Sequence, residues 1–201
     1  MNPETIEHTT MLDAARAYAE RGWAVFPLAA GTKQPMAGSR GFKDASRDIE
    51  QITAWWSAAP DANIGVPTGA INDITVFDVD MNPAKGKQGA ATLLTLVQEH
   101  GALPPTLRQK TWSGGVQYIF AYNPNVPSRA RIGGLLDIDT RNDGGYVVVP
   151  PSRVSEGTQH GTYAWTADLN TPRATMPDWL LERIIQTTPA AAQRGHRNPP
   201  G

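Results

Sequence analysis

Four aspartates fall in two spaced pairs, Asp78-Val79-Asp80 and Asp137-Ile138-Asp139. Both pairs lie in apolar runs, 74–80 and 135–141, that predict strands. Side chains alternate faces along a strand, so Asp78 and Asp80 share one side while Phe77 and Val79 take the other. Asp137 and Asp139 are expected to repeat that arrangement. Carboxylates held so close repel one another and must be met by cations or by protons. Four of them on two strands can form an all-oxygen site suited to Mg2+ or Mn2+, the hard cations used in phosphoryl and nucleotidyl transfer. The competing reading is a wet sheet face on which each acid is merely solvated. Ser113-Gly114-Gly115 reads as a turn between strands whose backbone N–H groups and serine hydroxyl could cradle a phosphate, or as a plain hairpin. Lys33, Arg40, Lys43, Lys110 and Arg141 could supply positive charge to a triphosphate or a template strand, although surface cations are more often only solvated.

Composition narrows the choice. There is no cysteine, which removes disulfide frameworks, thiol nucleophiles and iron–sulfur clusters. The four histidines, His8, His100, His160 and His196, are too scattered for a zinc site or a histidine triad. With 18 basic and 19 acidic residues the formal charge is −1, so any polyanion must be met by a local patch rather than a bulk field. The 19 glycines and 17 prolines are too few for a low-complexity chain but imply many tight turns. The longest apolar runs, such as 23–27 and 146–151, fall far short of the ~18 residues a membrane span needs. No signal peptide is evident at the start, and a cytoplasmic protein is expected.

The elements that must position these residues follow from periodicity. Thr10 is expected to cap a helix with Leu12, Ala15, Tyr18 and Ala19 on its apolar stripe, stopped at Gly22. A buried strand is predicted over 23–27. Asp48 caps a second helix carrying Ile52, Trp55 and Trp56, which ends before Pro60. Strands follow at 63–67 and 74–80, then a helix over 90–99 with Leu93, Leu94 and Val97 facing in and Gly101 as its stop. The remainder is strand-rich, at 107–112, 116–122, 135–141, 146–149 and 163–165, before a last helix over 179–186. Residues 1–10 read as a flexible start and 187–201 as a linker toward a further domain. The expected class is α+β, an N-terminal α/β unit packed on a mostly antiparallel C-terminal sheet with helices.

An ordered series of segments carries a resemblance. It comprises 18–28 (YAERGWAVFPL), 41–46 (GFKDAS), Trp55-Trp56, 63–69 (NIGVPTG), Asp78-Val79-Asp80, Ser113-Gly114-Gly115 and 143–152 (DGGYVVVPPS). Over residues 11–186 the chain resembles the bifunctional primase-polymerase (prim-pol) domain of the archaeo-eukaryotic primase superfamily, common in phage and plasmid replication proteins. The resemblance implies that Asp78 and Asp80 bind metal as the first motif. It implies a third metal-binding acid just before an Arg and a Gly-Gly hairpin, which Asp139 matches best, with Asp137 the other candidate. Ser113, Gly114 and Gly115 match the nucleotide-binding second motif, but Gln117 occupies the place of its phosphate-contacting histidine. Glutamine donates a neutral hydrogen bond and brings no positive charge.

The implied activity is template-dependent nucleotidyl transfer by two Mg2+ or Mn2+ ions, making the chain a DNA primase, a DNA polymerase or both. Asp78, Asp80 and Asp139 would be the catalytic metal ligands. Ser113, Gly114, Gly115 and Gln117, with Lys33, Lys43 and Arg141, would bind the nucleotide. The implied partners are single-stranded template, primer, dNTP or NTP, and a C-terminal helicase or other replication domain. A second reading keeps nucleotide or single-stranded DNA binding without catalysis. A metal-dependent nuclease is disfavoured, because no residue stands out as the base for a water.

Overall fold

The computed structural model describes residues 10–186 apart from 131, 133 and 134. The polar start before Thr10 and the linker expected over 187–201 lie outside the described residues. Helix α1 (Met11–Glu20) begins where Thr10 and Asp13 form a reciprocal capping box. Strand β1 (Phe26–Leu28) starts three residues later than the sequence predicts. The reason is local: the backbone of Ala24 is satisfied by the Asn72 side-chain amide rather than by a neighbouring strand. Helix α2 (Ile49–Ala58) is capped by Asp48 and buries Ile52 and Trp56, leaving Trp55 at the core's edge.

Strands β2 (Asn63–Pro67) and β3 (Ile74–Val79) follow, and Asp80 lies just past the end of β3. A short hairpin of β4 (Met81–Asn82) and β5 (Lys87–Gln88) leads into α3 (Gly89–His100). In α3 the inward residue is Leu96, with Leu93 packed beside it; Leu94, expected to face in, is 58% exposed. Next come β6 (Leu107–Lys110), β7 (Val116–Ala121), β8 (Ile138–Arg141) and β9 (Tyr146–Val149). Strand β8 is shorter than the predicted 135–141, because Asp137 adopts φ +57°, which no extended strand allows. A hairpin of β10 (Arg153–Glu156) and β11 (Gln159–Thr162), then β12 (Ala164–Trp165) and α4 (Asp178–Gln186), complete the described chain.

The fold is α+β, and the named strand pairs are antiparallel. Its two larger sheets have the orders β1-β2-β9 and β12-β6-β7-β3-β8. Each therefore interleaves strands from both halves of the chain, with β9 completing the first sheet and β3 lying inside the second. Helices α1 and α2, the first sheet and one face of the second enclose a core that includes Ile52, Trp56, Ile64, Val76 and Ile119. The opposite face of the second sheet, with Phe77, Val79, Phe120 and Ile138, is covered by Leu96 of α3 and by Leu180 and Ile184 of α4. Strand β3 is thus buried on both faces, and Asp78 lies on the face it shares with Val76. Among the described residues no helix is long and apolar enough to cross a membrane.

Candidate active site

Where the two large sheets part, a cleft of about 460 Å3 opens, with Asp78, Asp80, Asp139, Arg141, Gln117 and Ser113 in its walls. Strand register accounts for the central grouping. Asp78 pairs with Asp139 of β8 on one side and with Gln117 of β7 on the other. Residues opposite one another on neighbouring antiparallel strands project to the same face at close range. Asp78 and Asp139 are therefore delivered side by side, both buried.

Burial, followed by the charge of Asp80, pushes the Asp78 carboxyl up to about 7, against the pull of a hydrogen bond from Gln117 and of Arg141. One of its oxygens, Oδ1, is buried without a hydrogen-bond partner. The neighbouring acids have cationic partners: Asp139 is 2.9 Å from Arg141 Nη2, and Asp80 is ion-paired with Lys87. Burial works against the Lys87 ammonium, but Asp80, with Asp139 and Asp137 beyond it, holds its pKa above the usual lysine value.

Asp137 stands apart. Its carboxylate accepts a hydrogen bond from the backbone N–H of Gln88 at 2.9 Å, and its carbonyl accepts one from Asp80 N–H at 2.9 Å. Among the phosphate-binding candidates, Lys33 lies in the cleft wall with its Nζ 5.8 Å from the centre of the Trp112 ring. The Ser113-Gly114-Gly115 turn does join β6 to β7. Gly114 supplies φ +98°, and at Gly115 a Cβ would lie 2.5 Å from the Val79 carbonyl oxygen, so the turn can press onto the end of β3 only without a side chain there. Lys43 is exposed on a short 3-10 helix (Gly41–Asp44) away from the cleft wall, Arg40 pairs with Asp44, and Lys110 alternates to the exposed face of β6.

The donor set suits a hard divalent cation: carboxylate oxygens only, one of them buried and unpartnered. Among the described residues no three His, Cys, Asp or Glu side chains are gathered as a metal-holding group, since Asp80 is drawn to Lys87 and Asp139 to Arg141. Lysine and arginine thus offset the charge of Asp80 and Asp139.

A family model for the bifunctional DNA primase/polymerase N-terminal domain, Prim-Pol, matches residues 15–179. The chain belongs to the prim-pol family. No curated protein matches it. Membership points to a DNA primase/polymerase role in replication. Two residues of this prim-pol domain escape sequence reasoning. Lys87 sits in a glycine- and lysine-rich stretch that reads as loop, and its reach to Asp80 depends on the β4–β5 hairpin. Gln109 is fully buried on β6, and its Nε2 donates to Gln117 Oε1 at 2.6 Å. Its signal was present in the alternation of Leu107 and Gln109 against the charged Arg108 and Lys110, which places a glutamine on the core face.

Proposed function

We propose that this prim-pol domain is a template-dependent nucleotidyltransferase that synthesises or extends DNA primers in phage or plasmid replication. The observation that carries the reading is the register of β3 and β8, which sets Asp78 directly against Asp139 in a cleft that also presents Asp80, Lys33, Lys87 and Arg141. Asp78, Asp80 and Asp139 would hold Mg2+ or Mn2+. When bound, two such ions would acidify a primer 3′-hydroxyl and neutralise the triphosphate and departing pyrophosphate.

The chain's own residues prepare for this in three ways. Oδ1 of Asp78 is buried without a hydrogen-bond partner, so a cation arriving there would displace no protein donor, only the proton that burial beside Asp80 favours on the carboxyl. Arg141 and Lys87 lie within reach of both carboxylate and cleft, so each can turn from its acid to a phosphate oxygen as the acids take up metal. Ser113 and Lys33, at the rim, would receive the outer phosphates, with the amides of Gly114 and Gly115 beside them. Lys43 has no part in this reading, as it lies away from the cleft wall. Template would run along the backbone-contacting rim, since base pairing rather than side chains reads its sequence.

The test is incubation of the purified chain with primed and unprimed single-stranded DNA, labelled dNTPs or NTPs, and Mg2+ or Mn2+, beside a D78A/D80A variant. Products longer than the primer establish a polymerase, and products without a primer establish a primase. Shortened DNA would mean a nuclease. Retention of nucleotide or single-stranded DNA without product, equal in wild type and variant, would leave a non-catalytic binding module.

A further inference from the structure

A polar row crosses the five-stranded sheet at right angles to its strands: Gln109 on β6, Gln117 on β7, Asp78 on β3 and Asp139 on β8, each paired with the next in register. The adjacent row on the same face, Leu107, Ile119 and Val76, is apolar and buried. Gln109 is fully buried at a position where an apolar side chain would satisfy the core. Its Oε1 finds no partner, which leaves the desolvation of a buried acceptor uncompensated. What the glutamine supplies here is therefore its Nε2, the end that has partners.

The Val148 carbonyl supplies the missing logic. A carbonyl oxygen can only accept, and Gln109 Nε2 donates to it at 2.8 Å, which fixes which end of the Gln109 amide faces the first sheet. The same Nε2 donates to Gln117 Oε1 at 2.6 Å. With its oxygen engaged there, Gln117 has its NH2 group left for the side of Asp78, its register partner on β3. The opposite orientation would set the Gln117 carbonyl against Asp78, acceptor to acceptor once that acid is ionised, as a metal ligand must be.

We infer that Gln109 is a positioning residue: anchored on the Val148 carbonyl, it orients the Gln117 amide so that Gln117 steadies the Asp78 carboxylate with Oδ1 left open to a cation. Gln117 then serves the acid rather than a phosphate, which departs from the role implied by the histidine it replaces. The relay matters to catalysis only if Asp78 serves nucleotidyl transfer as proposed above, but its effect on cation binding can be read without any turnover.

The experiment compares wild type, Q109M, Q117M, the double variant and Q117N, each first checked for folding by thermal unfolding. Mn2+ binding to nucleotide-free protein is followed by electron paramagnetic resonance, and steady-state primer extension gives kcat and KM. In Q109M, Mn2+ affinity and kcat are each expected to fall about 10-fold, as loss of an outer partner of a metal ligand does, while the nucleotide KM stays within about twofold. The double variant is expected to be no worse than Q117M, because the two residues act in series. If Q109M does not fold, Q117N carries the same expectation, its amide falling one methylene short of Asp78. A raised KM at unchanged kcat, additive losses, or unaltered Mn2+ affinity in Q109M and Q117N would overturn the relay. Wild type that binds Mn2+ more tightly than Q109M yet extends no primer would uphold the relay and sink the polymerase reading. Wild type that extends primers while both variants behave like it would do the reverse. Wild type that neither binds Mn2+ nor makes product would overturn both.

Discussion

The two spaced aspartate pairs have the same sequence pattern and different fates. In each pair one member lies inside a strand and the other just outside it: Asp78 in β3 with Asp80 past its end, and Asp139 in β8 with Asp137 before its start. The inner members face one another in register, Asp78 against Asp139. The outer members meet through backbone, Asp80 N–H donating to the Asp137 carbonyl, and their carboxylates are both taken up by β5, Asp80 by Lys87 and Asp137 by the Gln88 N–H. Face alternation is a property of extended backbone. It places a carboxylate only while the chain remains in the strand, and beyond that the neighbouring turn decides.

The largest effect should come from breaking the inner pair. If Asp78 and Asp139 hold metal as proposed, D78A or D139A would each remove a ligand worth several kcal/mol of transition-state stabilisation, so primer extension should fall by about a thousandfold or more. Folding should survive in both, since neither residue anchors an apolar cluster, and circular dichroism would check this. A D139A protein that extends primers at near the wild-type rate would remove Asp139 from the site.

Next in size is a wedge driven into the outer pair. Gly89, the first residue of α3, donates its N–H to the Asp80 carbonyl, and a Cβ there would lie 2.5 Å from the Asp137 carbonyl oxygen and 2.7 Å from that of Asp80. Both obstacles are backbone and cannot swing aside. G89A should cost about 1–3 kcal/mol, the usual toll of overpacking, and lower the melting temperature by several degrees. It should also reduce activity more than its stability loss explains, because Asp80 is displaced while Asp78 is not. An unchanged melting temperature would mean that the hairpin and α3 move apart freely and that the outer pair is not rigidly held.

Much of the scaffold behind this comparison is legible in the sequence, and the missing parts have common causes. The Thr10 cap, the Asp48 cap and the alternation of Asp78 against Phe77 and Val79 depend on neighbours within a few residues, and the structure follows them. Strands β10 and β11 are not legible, because only Val154 of their eight residues is buried and an exposed polar hairpin lacks the alternation that marks a strand. Leu94 misleads for the opposite reason, being an apolar residue on the solvent side of α3. For the site, Asp78, Asp80, Ser113, Lys33 and Arg141 are readable as candidates and lie in one cleft. The resemblance already favours Asp139 over Asp137, but the positive φ that sets Asp137 outside β8 is revealed by no spacing, and the partners of Lys87 and Gln109 depend on register between segments far apart in sequence.

Burial also makes Asp78 sensitive to pH. The Asp78 carboxyl is raised from 3.8 to about 7 in the folded chain by burial and by Asp80. Between those values the native state holds a proton that the unfolded state has lost. The stabilisation from that proton is complete below pH ~4, declines as pH rises toward ~7 and is gone above it, with a slope of up to about 1.4 kcal/mol per pH unit. With chelator present, the wild type should therefore lose more stability between pH 5 and pH 7.5 than D78N, which has no proton to release. Denaturant unfolding at the two pH values measures the difference, and equal slopes in the two proteins would show that Asp78 is already ionised at pH 5.

The smallest effect is expected from D137N. Asparagine tolerates the left-handed φ of +57° as aspartate does, and its side-chain oxygen can still accept from the Gln88 N–H, so the substitution removes charge and little else. Asp137 is one of the acids that raise the Lys87 pKa, but it ranks behind Asp80 and Asp139. The ion pair of Lys87 with Asp80 should therefore persist, and kcat and nucleotide KM should stay within about twofold of wild type. If D137N instead lost activity on the scale of D139A, the charge of Asp137 would have to reach the reacting centre. The hairpin β4–β5 would then have to release both outer acids together, turning four carboxylates toward the cleft in place of three.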